Sequence, residues 1–211
     1  QQTDSHNAQR LLKTMSKEKN ADREFQSRAK AVEFTSIPQD EASFNAETWV
    51  AFCMRMQNAA KNAGLQSTFA RQITGTFEEM IGNVVEHSEH PETGIAGYRW
   101  KQGEFEYVVA DNGIGILQSL KKHSDYHRIS DAGQALETAL TDGESCKGKN
   151  ALRGRGFNTL ILNIASRNSF LRFRSGDHCH IVDGTTPTAQ RATSQLCSNL
   201  QGFHISVVCR P

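Results

Sequence analysis

Between Ser67 and Ser88 the chain carries a stripe that leaves little freedom of fold. Ile73, Phe77, Met80 and Val84 recur at i, i+4, i+7 and i+11, so at 100° per residue they fall on one side of a helix. Such a helix must lie on a second apolar layer. Glu79, Asn83 and His87 stand four residues apart on the adjoining flank, a carboxylate, an amide and an imidazole in a row beside a buried face. Acidic and amide side chains are seldom placed beside a core without a task. Taken alone, the row reads more simply as a solvated flank. The balance is changed by two glycine motifs downstream.

Around this helix the pattern predicts an α/β (α+β) two-layer sandwich. Ala31 to Ile37 alternates apolar and polar residues and reads as a strand stopped by Pro38. Trp49, Val50, Phe52, Cys53, Met56 and Ala60 recur at helical spacing, with Gly64 suited to the residue after the helix end. Ile95–Lys101 and Glu104–Ala110 flank Gln102-Gly103 as a hairpin. Residues 117–153 are polar and basic with one short helical stretch from Asp131 to Gly143, a length that suits a lid. A helix is expected from Gly154-Arg155-Gly156-Phe157, then strands at Ser169–Arg174, His178–Val182 and Phe203–Cys209, with a Thr/Ser/Gln-rich loop over 184–200. The expected fold is one mostly antiparallel, mixed sheet with helices on one face, spanning 31–211. Residues 1–30 are polar, with few large apolar side chains, and read as a helical extension or linker that offers a pairing surface for a homodimer.

Composition narrows the function classes. Of 211 residues, 37% are hydrophobic and 22% charged, the balance of a globular domain, and a net charge of +1 argues against nucleic acid or an anionic membrane as partner. No apolar run approaches a bilayer's thickness, and no signal-peptide pattern is seen. The five cysteines, Cys53, Cys146, Cys179, Cys197 and Cys209, are scattered without a C-x-x-C pair, which suits reduced thiols and a cytoplasmic setting. His178-Cys179-His180 would put two imidazoles on one face of a strand, but no third and fourth ligand stand nearby in sequence, and a metal there is the weaker reading.

Asp111-x-Gly113-x-Gly115 leaves the end of a strand. Its glycines permit a tight turn or close approach of a ligand, and its aspartate can accept a hydrogen bond from an exocyclic amine such as that of adenine. A plain turn is the competing reading. Gly154-x-Gly156 opens a helix, where free N–H groups and the dipole favour an anion. Lys147, Lys149, Arg153 and Arg155 crowd that approach, although each alone reads as a solvated loop cation. Neither a Walker A motif nor a dinucleotide-binding glycine fingerprint occurs.

In order and spacing, the three motifs resemble the GHKL ATPase superfamily, which includes gyrase, the ninety-kilodalton heat-shock chaperone, histidine kinases and MutL. Glu79-x-x-x-Asn83-x-x-x-His87 is similar to its N box, Asp111-x-Gly113-x-Gly115 to its G1 box, and Gly154-Arg155-Gly156 to its G2 box. The compact start is most similar to stand-alone histidine-kinase-like ATPases and anti-sigma-factor serine kinases. The resemblance implies a Bergerat-type ATP-binding fold with ATP and Mg²⁺ as cofactors. Glu79 would be the catalytic base and Asn83 the magnesium ligand. His87, Asp111, Gly113, Gly115, Lys149, Gly154, Arg155, Gly156 and Phe157 would bind the nucleotide, Asp111 reading the adenine amine and Arg155 or Lys149 steadying the transferred phosphoryl group. It implies transfer or hydrolysis of the γ-phosphate in regulatory signalling, with a regulatory protein as partner. The alternative is a non-catalytic switch whose lid responds to ATP and controls that partner. Two departures from the family pattern stand out. Asn158 replaces the last glycine of G-x-G-L-G, and Gly202-Phe203 replaces a Gly-Thr whose threonine helps bind adenine, leaving Ser206 as the nearest hydroxyl beyond it.

Overall fold

The computed structural model describes residues 31–140, 168–185 and 192–211. In chain order these form β1 (Ala31–Ser36), α1 (Glu41–Phe44), α2 (Glu47–Asn62), α3 (Ser67–His87), a short turn of 3₁₀ helix (Pro91–Thr93) and β2 (Ile95–Lys101). There follow β3 (Glu104–Asp111), α4 (Gly115–Lys121), a second 3₁₀ turn (Ser124–Tyr126), α5 (Ala132–Leu140), β4 (Ser169–Asp183) and β5 (Ala192–Cys209). The extension over 1–30, Lys149 and the helix opening at Gly154 lie outside the described residues.

The long helices end and pack as their residues dictate. α2 closes in a Schellman turn: Leu65 N–H donates to Ala60 O at 3.2 Å and Gly64 N–H to Lys61 O at 2.9 Å, with Gly64 at φ +107°. α3 buries Phe69, Ile73, Phe77, Met80, Ile81 and Val84. An aromatic cluster fastens the helices to the sheet. Trp49 and Phe52 of α2 stack at 5.6 Å, Phe52 meets Tyr98 of β2 at 5.5 Å, and Phe77 of α3 meets Tyr107 of β3 edge-to-face at 5.5 Å.

Among the described residues the sheet has five strands, in the order β1-β2-β3-β5-β4. Every described pairing is antiparallel, so the mixed sheet expected from sequence is corrected to a wholly antiparallel one and the class is α+β. Alternation along β5 places Phe203, Ile205, Val207 and Cys209 in the core, and His204, Ser206 and Val208 on the opposite, outward face. The expected strands at 169–174 and 178–182 are one strand. Register shifts at Ser175, Gly176 and His178, with Gly176 at φ +61°, let β4 bend and continue. Residues 192–200, expected as loop, extend β5 beside it. Their side chains are largely exposed on both faces, Leu196 at 74%, so no alternation marked them as strand.

The expected lid is more structured at its start than its composition suggested. Leu120 of α4, Tyr126 and Ala135 of α5 form a small buried cluster, and Leu136, Ala139 and Leu140 join the main core. Among the described residues no helix is long and apolar enough to cross a membrane.

Candidate functional site

Asp111 is the last residue of β3 and is only 1% exposed, a rare position for a carboxylate. Its Oδ1 accepts the Gly113 N–H at 2.6 Å, closing the turn of the D-x-G-x-G motif. Its Oδ2 is equally buried and has no hydrogen-bond partner. Burial pushes the carboxyl up to about 6, against the Gly113 and Phe203 amides and His90, which favour the charged form. A buried acceptor without a donor costs on the order of 1–3 kcal/mol, and a ligand amine would satisfy it.

Glycines enclose this carboxylate from two sides. A Cβ at Gly113 would sit 2.2 Å from Ser88 O and 2.8 Å from Asp111 Oδ1. A Cβ at Gly202, where φ is +76°, would sit 2.2 Å from Asp111 O. Gly115, at φ +75°, turns the chain into α4. Ser175 Oγ fixes the arrangement by accepting the Ile116 N–H at 3.0 Å and donating to Gly202 O at 2.8 Å.

The same loop is fastened to the end of α3. Ile114 N–H donates to Ser88 O at 2.9 Å, and Asn112 N–H to Thr93 Oγ1 at 3.0 Å. Ser88 caps α3 one residue after His87, so the D-x-G-x-G loop abuts the end of the helix that carries the Glu79, Asn83 and His87 row. At 1.5 Å per residue Asn83 lies about 7–8 Å back along the axis from Ser88. Glu79, Asn83 and His87 are all partly buried, at the border of the core as the periodicity implied. The His87 ring stands 4.0 Å from the Glu86 carboxylate. α3 leaves this site through Glu89, whose φ of +61° is unusual for a residue with a side chain, and Lys122 at the end of α4 pairs with it at 2.5 Å.

Two segments of the expected site are thus brought together, the one on α3 and the one around Asp111. The third, with Lys149, Gly154, Arg155, Gly156 and Phe157, lies outside the described residues. No family model matches the chain, and no curated protein or solved structure does. Among the described residues no group of three or more His, Cys, Asp or Glu side chains is placed to hold a metal; His178, Cys179 and His180 do not form one.

Sequence reading missed Ser88, Thr93 and Ser175, whose hydrogen bonds hold the loop; a serine or threonine carries no motif of its own, and only register reveals it. In sequence Gly202 stands out only as half of a dipeptide, which does not reveal its place against Asp111. The dipeptide's second residue, Phe203, is the direct partner of Asp111 across the ladder, so both side chains share the inner face. The Phe203 ring is 5% exposed and meets Phe173 edge-to-face at 5.8 Å. Ser206 does not stand in for the missing threonine. It pairs with Val108 and donates to Glu106 Oε1 at 3.0 Å on the outward face.

Proposed function

We propose that the chain is an ATP-binding domain of the histidine-kinase-like type that transfers or hydrolyses the γ-phosphate of Mg-ATP, acting on or through a regulatory protein. The observation that carries this reading is the buried Asp111 carboxylate, one oxygen without a donor, in a glycine-walled turn fastened to the end of α3. An exocyclic amine would supply the donor that this buried oxygen lacks. Asn83, partly buried on the adjoining helix, offers an oxygen suited to magnesium. Bound magnesium would neutralise charge on the phosphates. Glu79, one turn earlier, would take the proton from the attacking hydroxyl or water.

Phe203 favours keeping a second reading, an ATP-responsive switch with little turnover, because the base would meet an apolar ring where a hydroxyl was expected. Both readings require nucleotide binding. The test is thermal unfolding with ATP, with and without Mg²⁺, for the native chain and Asp111→Asn. A ligand selective for the folded state raises stability by mass action. Stabilisation of the native chain and its loss in Asp111→Asn are expected; equal stabilisation of both, or of neither, contradicts the proposal. γ-Phosphate release by the native chain, abolished in Glu79→Ala with binding kept, then separates enzyme from switch.

A further inference from the structure

The outward face of the sheet carries two differently balanced halves. On the β2–β3 side the charges are paired. Arg99 binds Glu106, Lys101 and Arg210 reach Glu104 at 3.2 and 3.0 Å, and Ser206 adds its hydroxyl to Glu106. On the β4–β5 side, Arg172 and Arg174 have no carboxylate partner among the described residues. Arg172 and Arg174 are two residues apart on β4 and share the outward face, which separates their Cα atoms by about 6.5–7 Å. His204 of β5 is the direct partner of Arg174 and the diagonal neighbour of Arg172. Arg174 donates from Nη2 to Ser198 O at 2.8 Å, leaving its buried Nε without an acceptor. Among the described residues, Arg172 has only the Cys179 sulfur at 3.3 Å, a weak acceptor. Both ring nitrogens of His204 are buried, and neither has a partner.

We propose that Arg172, Arg174 and His204 form a site for an oxyanion, of the phosphate or carboxylate class, on the face of the sheet opposite Asp111. Two like charges on one face of a sheet repel one another, and an oxyanion within reach of both guanidinium groups accepts from both. The imidazole, neutral when the site is empty, takes a proton from solvent and donates a third hydrogen bond when the anion enters. The other described groups leave this role open. Ala110, opposite His204 on β3, cannot titrate, and Glu106 is already held by Arg99 and Ser206. Burial, with Arg172 and Arg174 nearby, depresses the empty-site histidine to about 4. The site is independent of the nucleotide reading.

The test follows the His204 ring C–H resonance through a pH titration of the full chain without nucleotide, in chloride, inorganic phosphate or acetate at equal ionic strength. In chloride the ring is expected to stay neutral until about pH 4. A rise in midpoint of about one unit or more, a tenfold gain in proton affinity, is expected with an oxyanion. A rise with phosphate alone assigns a phosphate ligand; a rise with acetate as well assigns carboxylates, including those of a partner's side chains. Arg174→Gln should abolish the rise and Arg174→Lys should keep part of it. No change with either oxyanion, or a change matched by chloride, overturns the proposal, and the native chain alone decides between these outcomes should a variant fail to fold.

Discussion

Asp111 is buried, and His204 is partly buried with both ring nitrogens enclosed, on opposite faces of neighbouring strands, and burial moves them in opposite senses. The folded value of Asp111, about 6, lies above its ordinary 3.8. The stability it contributes is therefore full below about pH 4 and is lost as pH rises through about 6. His204, at about 4 against an ordinary 6.5, contributes stability above 6.5 that is lost as pH falls through 4. Asp111→Asn keeps an oxygen for the Gly113 N–H and removes the buried charge, but its amide leaves a new donor to satisfy. Urea denaturation without ligand should show it about 1–2 kcal/mol more stable than the native chain at pH 7.5, with no gain at pH 4. ATP affinity of the native chain should weaken as pH falls through about 6, where Asp111 takes up its proton; a calorimetric titration at pH 5 and pH 7.5 checks it. Gly202→Ala combines a φ of +76° with a contact of 2.2 Å to Asp111 O, and should cost more than about 2 kcal/mol while abolishing ATP-induced stabilisation.

Among the elements, α3 does two jobs at once. Its buried stripe joins the core, and its edge holds Glu79, Asn83 and His87 at a fixed spacing beside the loop that ends β3. Phe77 is fully buried between Trp49 and Tyr107, so Phe77→Ala should cost about 3–5 kcal/mol in denaturant unfolding. Gly75 is an exposed helix position with nothing within 4 Å of a Cβ, and Gly75→Ala should raise stability by about 0.5–1 kcal/mol without touching the site. α3, the turn after α2 and the β2–β3 hairpin were all legible, because each is set by local periodicity and by glycine at a turn. The β4–β5 arm was not. Its outer part is solvated on both sides, so its sequence carries no alternation, and what makes it a strand is the neighbour it pairs with.

At the scale of the whole molecule, packing α3 on one face of an antiparallel sheet brings its end, at Ser88, against the loop that follows Asp111, although the two are far apart in sequence. The motifs identified both segments in sequence, since each joins a regular element to a chemically distinct group. What joins them depends on Ser88, Thr93 and Ser175, whose roles arise only from register. That junction is the substance of the functional reading. Backbone amide mapping of the native chain titrated with Mg-ATP tests it most directly. Shifts concentrated at Asn83, His87, Asp111, Gly113, Gly115 and Gly202 are expected, with Arg99 and Glu104 on the outward face unmoved. An unchanged spectrum, or shifts that bypass Asp111 and the end of α3, would contradict the account.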